Sequence, residues 1–396
     1  MYSDNFHLVV VVRKERIRAF LDFPSVLYKS DKNWIRPLDV EIEKVFDPSQ
    51  NHLFKMGEAV RWLLYDSSDK TVGRMAAFFD KRSALKNTQP TGGIGFFDCI
   101  NHKKAAHALF DAAKKWLAER GMEAMDGPLN FGNRDNFWGC LKEGFYEPVF
   151  NMPYNFPYYN DLFESYGFRN YFNQYTYHIN VQGGSQSPKI RERAARLHRD
   201  PGYHFEILNK ENASRIPDDF MVIFNKAWAR FPGMSKVNRE QTRSLFKTLK
   251  PVMDRRALIF GYYHDEPIAF FVMIPDINQI IRNFNGKMNW LNKLSLLVQL
   301  KVLNKCNRLI GLIFGVVPEY QGKGVESALV VRFEEEIFSG RVKYTDLEMN
   351  WVGDFNPVMM KLVEQMDGKI HKTHVTYRYL FDRSKEFKRA SIFSEC

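Results

Sequence analysis

The sequence predicts an α+β fold used twice, in which each half is a mixed, mostly antiparallel sheet flanked by helices. Three observations predict it: the length of the chain, a repeat within it, and the same order of strand-like and helix-like segments in both halves. At 396 residues and 46.6 kDa the chain exceeds one ordinary core, which favours two domains. Hydrophobic residues make up 45% and charged residues 26%, as is usual for folded chains.

The repeat joins residues 101–130 to residues 321–350, which align without a gap. A second block joins residues 157–177 to residues 357–377. The identical pairs are Lys103/Lys323, Ala108/Ala328, Leu109/Leu329, Asp126/Asp346, Asn130/Asn350, Pro157/Pro357, Leu162/Leu362, Glu164/Glu364, Thr176/Thr376 and Tyr177/Tyr377. Because their order agrees with the predicted elements, we interpret the chain as a duplicated domain.

In the first half, three strand-like runs precede a helix. The runs are residues 60–65, 72–79 and 94–100, with a polar turn at 67–70 between the first two. The helix follows from apolar residues at helical spacing, which are Ala105, Leu109, Ala112 and Trp116.

The second half repeats this order. Its strand-like runs are residues 258–263, 268–274 and 309–317, and residues 264–267 form the turn between the first two. Its helical stripe is Val325, Leu329, Phe333 and Ile337. The same elements in the same order predict two copies of one fold.

The boundary between the copies is predicted near residue 185. The predicted units are a first domain at 1–185, a linker at 186–201, a second domain at 202–383 and a tail at 384–396. Glycine and serine make residues 182–188 flexible, and the basic run at 189–199 predicts a short exposed helix.

Each half also carries an insertion. Residues 127–159 are dense in Asn, Pro and aromatic residues, with Arg134 and Asp135 as charged candidates. They predict either a surface loop or an element that reaches the other half and shapes an acceptor pocket. Residues 276–307 predict a helix that covers the sheet, or alternatively a substrate lid or a basic surface helix.

The composition limits the class of protein. A net charge of +11 and a pI near 9.3 favour anionic partners, such as phosphorylated cofactors, nucleic acid or acidic membrane surfaces. The four cysteines, Cys99, Cys140, Cys306 and Cys396, lack metal-ligand spacing, so we expect neither zinc nor a disulfide. With no signal peptide and no apolar run long enough to span a bilayer, we expect a cytoplasmic protein.

One motif indicates a chemistry. The stretch VVPEYQGKGVESAL at 316–329 runs from a strand through a glycine-bearing turn into a helix. Such a turn directs backbone N–H groups and the positive end of the helix dipole at one point, which favours an anion. Gly322 and Gly324 allow close approach, and Lys323 adds positive charge. The alternative is a tight turn in which the glycines serve geometry alone.

This stretch resembles the cofactor loop of the GNAT superfamily of acyl-CoA N-acyltransferases, whose motif is Gln/Arg-x-x-Gly-x-Gly/Ala after a strand ending in Val-x-Pro. Gln321, Gly324, Val316 and Pro318 match, while Glu326 stands where the family has a small residue. The resemblance covers most of residues 202–383 and includes a closing hairpin at 369–381.

The resemblance implies the cofactor and its contacts. Acetyl-CoA or another acyl-CoA is the expected co-substrate, with no metal. The residues implied for its pyrophosphate are Gln321, Gly322, Lys323, Gly324 and Val325, and those along its pantetheine arm are Gly315, Val316 and Val317. Asn356 matches the family's cofactor-contacting Asn, although it is equally suited to cap the helix that begins at Pro357.

The first copy has lost this loop. Where the second copy has Gln321 to Gly324, the first has Asn101-His102-Lys103-Lys104, without glycine. We therefore expect the first copy to be degenerate and to bind no CoA. The helix position that often holds a catalytic tyrosine in the family is Phe163 in one copy and Val363 in the other.

Candidate catalytic residues follow from alternation along the next strand. Leu347, Met349 and Trp351 are predicted on one face, while Glu348 and Asn350 face the cleft. Glu348 is the candidate base, or else a solvated strand carboxylate, and Asn350 is a candidate substrate contact. Tyr377 is the candidate acid, or else a packed hairpin tyrosine. His371 and His374 are predicted at the surface.

Three functions remain open from the sequence. The first is an N-acyltransferase, with acetyl-CoA the expected donor and a small-molecule or peptide amine as acceptor. The second is a Fem-type aminoacyl transferase, since paired GNAT-like domains occur there too; its tRNA partner is supported by no motif. The third is a non-catalytic protein that binds or senses acyl-CoA.

Overall fold

The computed structural model describes residues 5–85, 89–132, 134–182, 187–228 and 236–392. Residues 183–185 of the predicted first domain, residue 186 of the predicted linker and residues 393–396 of the predicted tail, which include Cys396, lie outside the described residues.

The first half contains the predicted strands and amphipathic helix. Its described elements are β1 (Phe6–Val10), α1 (Lys14–Leu27), α2 (Asp39–Phe46), β2 (Gly57–Asp66), β3 (Thr71–Asp80), α3 (Lys81–Ala84), β4 (Thr91–Cys99), α4 (Lys103–Ala118), β5 (Ala124–Gly127), β6 (Cys140–Glu143), α5 (Tyr158–Tyr166) and β7 (Arg169–Asn180). Helix α4 begins where the His102 side chain accepts a hydrogen bond from the Ala105 N–H.

The second half repeats the order. Its described elements are α6 (Pro188–Leu197), β8 (Tyr203–Ile207), α7 (Ile216–Ala227), α8 (Arg239–Leu249), β9 (Leu258–Tyr263), β10 (Glu266–Pro275), α9 (Asn278–Ile281), α10 (Trp290–Lys301), β11 (Arg308–Val316), α11 (Val325–Phe338), β12 (Asp346–Gly353), α12 (Pro357–Gln365) and β13 (Lys369–Leu380). The predicted stripe of α11 is buried in the core. The α+β class and the mixed sheet with flanking helices are confirmed.

The two halves share one open sheet. Its strand order among the described residues is β1-β2-β3-β4-β5-β13-β7-β12-β11-β10-β9-β8, and β6 pairs with β13 outside this path. The pairs β4/β5 and β11/β12 are parallel, whereas the other neighbouring strands are antiparallel.

The halves exchange their last strands. Strand β7 follows the helices of the first half but pairs with β12, and β13 follows the second half but pairs with β5. The exchange carries side chains between the cores: Val375 and Tyr379 lie in the first core, and Ile179 lies in the second. The sheet is therefore continuous across the boundary predicted near residue 185, which stays a prediction.

One local expectation was wrong. The predicted hairpin at 369–381 is the single strand β13, which pairs first with β7 and then with β5. The short helix predicted in the linker is α6; its basic residues are exposed as expected, while Ile190, Ala194 and Leu197 are buried with the second core. Among the described residues, no helix combines the length and apolar character that crossing a bilayer demands.

Candidate active site

The parallel strands β11 and β12 separate partway along the second half. They pair from Arg308 with Asp346 to Gly311 with Met349, and no further ladder pair joins them in the described chain. Beyond that point β11 continues beside β10, and β12 continues beside β7. Towards the end of β11, where the predicted anion loop begins, the two strands are therefore no longer hydrogen-bonded to each other, which is where we infer an opening.

The loop has the geometry that the motif predicts. Gly322 and Gly324 have φ of +70° and +102°, the left-handed region that favours glycine. Gly324 lies immediately before α11, so the first N–H groups of that helix point out of its end. The Gln321 side chain donates from Nε2 to the Val316 carbonyl at 2.9 Å, which closes the turn.

A carboxylate already stands at this loop. Glu326 Oε1 accepts a hydrogen bond from the Gly322 N–H at 3.2 Å. Lys323 is exposed, with its Nζ 5.4 Å from the Tyr320 ring centroid. Because the N–H that Glu326 occupies is one of those predicted for a pyrophosphate, an anion bound there must displace this carboxylate.

The predicted pantetheine contacts on β11 are only partly accessible. The Val317 N–H donates to the Ile268 carbonyl at 2.8 Å, so it belongs to the sheet. The indole Nε1 of Trp228 donates to the Phe314 carbonyl at 3.2 Å. A side chain at Gly315 would meet this indole, since a Cβ there would lie 2.9 Å from Nε1. Trp228 was missed by the sequence reasoning, because nothing local in its sequence connects α7 with β11.

Asn356 acts as a helix cap. Its Oδ1 accepts a hydrogen bond from the Met359 N–H at 3.2 Å at the start of α12. The local alternative for this residue is therefore present, and its contact with a cofactor stays a prediction.

Glu348 faces the opposite side of the sheet from α11, but it is not solvated. It is 1% exposed, and Lys372 Nζ lies 2.6 Å from its Oε2. Arg308 Nη1 lies 3.4 Å from its Oε1. Both carboxylate oxygens therefore accept from cations, and the alternative of a solvated strand carboxylate is excluded.

The charges around Glu348 continue into the insertion of the first half. Arg308 Nη2 lies 2.8 Å from Glu147 Oε1, and the Phe150 N–H donates to Asp276 Oδ1 at 3.0 Å. Asp276 is fully buried, and burial raises its pKa to about 7 against the opposing effect of Arg308. Its Oδ2 has no hydrogen-bond partner in the described part of the chain. The insertion at 127–159 thus reaches the second half, which was one of the two alternatives predicted for it.

Further polar groups share this covered side. Asn350, Thr176 and His374 line a small gap beside Glu348 and Lys372. Among the described residues, Asn350 Oδ1, Thr176 Oγ1 and His374 Nδ1 have no hydrogen-bond partner. The gap has no room for a water-sized group, so a polar ligand would reach these atoms only after the insertion moved.

The surface position predicted for the histidines was wrong for His374. It is 1% exposed, and burial lowers its pKa to about 4. His371 is half-buried and stacks on Tyr146 with ring centroids 4.2 Å apart. Alternation along β13 could not show this, because the face that carries His374 is covered by the insertion, which is distant in sequence.

The face predicted for Trp351 was also wrong. A bulge between Met349 and Val352 adds one residue to β12 and turns Trp351 to the side of Glu348. Its indole donates to the Arg134 carbonyl at 3.1 Å. Trp351 therefore lies under the insertion instead of on the helix-covered face.

Tyr377 does not reach this cleft. The strand exchange places it in the core of the first half, where its hydroxyl contacts Asn160 Oδ1 at 2.9 Å and Glu164 Oε1 at 3.0 Å. Burial raises the pKa of Tyr377 well above the usual range of a tyrosine. The place in the second half that was predicted for Tyr377 is taken by Tyr177 of β7. Tyr177 lies opposite Met349 of β12, and its hydroxyl has no described hydrogen-bond partner. The repeated pair Tyr177/Tyr377 was the signal for this swap.

The corresponding cleft of the first half is closed. Strands β4 and β5 pair in parallel from Thr91 to Gly93, and the chain then folds back into the opening. The Leu129 N–H donates to the Ile94 carbonyl at 2.7 Å, and a Cβ at Gly95 would lie 1.8 Å from the Leu129 carbonyl oxygen. The space that a cofactor arm would take is occupied by the chain itself.

The structure holds free thiols and no clustered metal ligands where it is described. Cys99, Cys140 and Cys306 are free and buried. No three His, Cys, Asp or Glu side chains of the described residues come together as metal ligands.

Comparison with known proteins adds relatives along the whole chain. No family profile matches it. Protein YghO of Escherichia coli strain K12 is 25% identical over 372 residues, covering 92% of this chain and 93% of that protein. The bacterial ceramide synthase of Caulobacter vibrioides strain NA1000 / CB15N is 27% identical over 387 residues, covering 95% of this chain and 98% of that protein.

Solved structures match at the level of fold. A tandem GNAT protein from the clavulanic acid biosynthesis pathway superposes with a TM-score of 0.54 at 10% identity, over 96% of this chain and 100% of that one. A GCN5-related glucosamine N-acetyltransferase region of a fungal β-N-acetylglucosaminidase gives 0.54 at 13% identity, over 95% of this chain and 38% of that larger one. The chain has the fold of the GNAT N-acetyltransferases, in its tandem arrangement.

Proposed function

We propose that the chain is an acyl-CoA-dependent N-acyltransferase whose second half binds the donor and whose first half covers the acceptor side. The observation that carries the proposal is the contrast between the two clefts. The opening beside β11 ends at a glycine loop and a helix N-terminus, whereas Leu129 fills the opening beside β4. One donor site per chain follows.

The donor binds through its anionic end. The N–H groups from Gly322 to Val325 take the pyrophosphate oxygens once Glu326 has turned away, and Lys323 adds a charge at the rim. The acyl-pantetheine arm then runs along β11 past Trp228, whose indole covers the strand at Phe314.

The reaction joins the acyl group to an amine. The nitrogen lone pair of the neutral amine attacks the thioester carbonyl carbon, a C–N bond forms, and the C–S bond breaks. The amine nitrogen loses one proton and the departing CoA thiolate gains one, so charge and protons balance. Glu348 is proposed to accept the proton from the amine, which requires Lys372 or Arg308 to release one of its oxygens.

The acceptor is proposed to be a long-chain amino alcohol. The support is the relative named a ceramide synthase, which matches 95% of this chain. A ceramide is the amide formed between a fatty acyl group and such an amine, so the name describes N-acyl transfer. Asn350 and His374 carry polar atoms without a described partner, and these would bind the hydroxyl and amine of this head group once the insertion has moved to make room.

The test is direct turnover by the full chain. Acetyl-CoA and palmitoyl-CoA are each incubated with sphinganine, a short amino alcohol and a peptide amine, and the products are identified by mass spectrometry with release of free CoA thiol in parallel. We expect an amide of sphinganine. Acceptance of other amines alone would keep the acyl transfer and overturn the acceptor.

A second candidate, a non-catalytic acyl-CoA-binding protein, is favoured by Glu326. Its carboxylate holds the loop N–H that a donor needs, and α12 carries Val363 where the family often has a tyrosine. This candidate predicts saturable CoA binding with no thiol release above the hydrolysis background for any of these amines.

A further inference from the structure

Helix α10 exposes an unusual number of large apolar side chains. Trp290 is 71% exposed, Leu294 is 54% exposed, and Val302 just after the helix is 68% exposed. The exposed apolar residues of this segment are Trp290, Leu291, Leu294, Leu297, Val298, Val302 and Leu303. Patches of this kind on a protein surface mark a site of interaction.

Four of these side chains share one side of the helix. Residues three and four positions apart lie together on a helix surface, so Trp290, Leu294, Leu297 and Val298 form a continuous stripe. On the other side Leu296 and Leu300 pack against Ile280, Ile281 and Phe284. The helix is thus apolar both where it is buried and where it is exposed, and we name its exposed side the α10 stripe.

A basic groove lies against the end of this helix. It encloses about 970 Å³ and is lined by α8, the segment before β9, the end of α10 and the segment before β12. Its charged lining residues are Lys210, Arg243, Lys247, Lys250, Asp254, Arg255, Arg256, Lys301, Arg341 and Lys343, all of them within the described chain. Nine cations therefore face one carboxylate, Asp254.

Several of these cations have no counter-charge. Arg256 pairs with Asp254, and Arg341 pairs with Glu336 at 3.1 Å. Five further groove cations are exposed and form no ion pair with any described acidic side chain; they are Lys210, Lys247, Lys250, Arg255 and Lys343. A groove with this charge attracts anions.

The stripe and the groove are continuous. Lys301 follows Leu297 and Val298 at helical spacing, lines the groove, and donates from Nζ to the Met253 carbonyl at 2.6 Å. The sequence contains no acidic residue between Asp276 and Glu319. One surface of the second half is therefore apolar at one end, basic at the other, and free of acidic residues along the connecting segment.

We propose that this surface docks on a bilayer that contains anionic phospholipids. A tryptophan and leucine stripe bordered by lysines fits the boundary between lipid head groups and acyl chains, with the groove cations against the phosphates. A protein partner fits less well, because lysine is depleted at protein interfaces. Nucleic acid would use the groove and leave the stripe without a role. The proposal does not depend on acyl transfer.

The test is co-sedimentation of the full chain with vesicles of phosphatidylcholine, with or without phosphatidylglycerol and in the absence of acyl-CoA. We expect binding to the anionic vesicles, weakened at high salt. Leu294→Glu/Leu297→Glu should weaken it at least tenfold, as should Lys247→Gln/Lys250→Gln/Arg255→Gln. The matched controls are Val26→Glu, at a position 66% exposed on α1, and Lys14→Gln/Lys29→Gln/Lys32→Gln in the first half, both expected to bind like the wild type.

Three results would overturn the proposal. One is vesicle binding that both second-half variants retain. Another is binding of inorganic phosphate or RNA to the groove without any binding to vesicles. The third is a wild-type protein that does not bind vesicles but forms a dimer by light scattering, when Leu294→Glu/Leu297→Glu abolishes that dimer. Circular dichroism and urea unfolding of each variant identify loss of binding that comes from loss of fold.

Discussion

The two clefts of this molecule were built from the same repeat and now differ in one physical respect: what fills the space between the parallel strands. In the first half the chain's own Leu129 hydrogen-bonds to Ile94, and the loop before α4 has a histidine cap. In the second half the strands diverge from Gly311 onward, and two glycines with positive φ lead into α11. A duplicated fold can therefore keep its sheet in both copies while only one keeps a site for an anion.

The comparison also shows why neither cleft is independent. Strand β7 of the first half borders β12, and the insertion of the first half covers Glu348. The closed half thus supplies one wall of the open one. This division of work is consistent with a first copy that has lost its own loop yet remains in the sheet.

The largest expected effect concerns Glu348, whose position in the repeat is taken by Pro128 in the closed half. Glu348→Gln keeps the shape of the side chain and removes the proton acceptor. If Glu348 is the base, kcat/KM should fall by about 10²- to 10⁴-fold while CoA affinity stays unchanged. The measurement is steady-state turnover, with an acceptor amine that is neutral across the pH range used, beside a CoA titration.

A structural role for Glu348 must be separated from a chemical one. The single variant leaves Lys372 without its counter-charge, while Arg308 keeps Glu147, and breaking a buried pair typically costs about 3 to 5 kcal/mol of stability. The control is Glu348→Gln/Lys372→Met, which removes both charges and should regain part of that stability without regaining turnover. Wild-type turnover in a folded Glu348→Gln protein would leave it a purely structural residue.

The second expected effect tests the open loop itself. Gly322 has φ +70°, a Cβ there would meet no heavy atom within 4 Å, and Asp and Asn both tolerate this conformation. Gly322→Asp adds a negative charge beside the pyrophosphate and should weaken CoA about 100-fold, whereas Gly322→Asn should change it little. Gly324 is unsuitable, because a Cβ there would lie 3.0 Å from the Arg193 carbonyl oxygen.

Calorimetry measures this affinity and the number of sites together. We expect one CoA per chain in the wild type. Two sites would mean that the first half binds CoA in spite of Leu129, and equal affinities for the Asp and Asn variants would place the phosphates elsewhere.

A smaller effect, of opposite sign, is expected at Glu326. Its carboxylate occupies the Gly322 N–H and would repel the pyrophosphate. Glu326→Gln removes the charge and should tighten CoA by about threefold to tenfold. The matched control is Glu319→Gln, an exposed acid of the same connection, which should alter affinity less. Weaker binding by Glu326→Gln would show that this carboxylate supports the loop instead of obstructing it.

Local patterns predicted the elements and the loop, and they failed where long-range pairing decides. The periodicity of α11 and the glycines at 322 and 324 are local, and the structure has them as expected. The exchange of β7 and β13 is not local, because both strands carry the same repeated pattern and either could close either sheet. That ambiguity misplaced Tyr377 and hid Tyr177.

Burial by the insertion was equally beyond the sequence. Alternation assigns Glu348 to a face, but only the folded insertion shows that this face is covered and that Lys372 and Arg308 reach the carboxylate. The bulge at Met349 adds a residue to β12 and thereby places Trp351 on the opposite face from the one predicted. No glycine or proline at this point of the sequence indicates a bulge.

The smallest expected effect is a dependence of stability on pH that the covered side of the open cleft creates. Burial raises the pKa of Asp276 from 3.8 to about 7, so between these values the folded chain holds a proton that the unfolded chain has lost. Asp276 therefore makes stability fall as pH rises from about 4 to about 7. Burial lowers the pKa of His374 from 6.5 to about 4, and it makes stability fall as pH falls across that range.

In the wild type the effects of Asp276 and His374 on stability oppose each other between pH 4 and 6.5. A variant that removes one of the two groups should therefore show the pH dependence that the other one causes. Relative to wild type, Asp276→Asn should lose stability more steeply on acidification, and His374→Gln should lose it more steeply as pH rises, by at most about 1.4 kcal/mol per pH unit for one proton. Urea unfolding of both variants and the wild type from pH 5 to pH 8 measures these differences, in which the titration of all unaltered groups cancels. Parallel curves for the wild type and both variants would mean that neither group titrates differently in the folded and unfolded chains. Water would then reach the side of the cleft that the insertion covers, and the closed half would not shield that side of the open one.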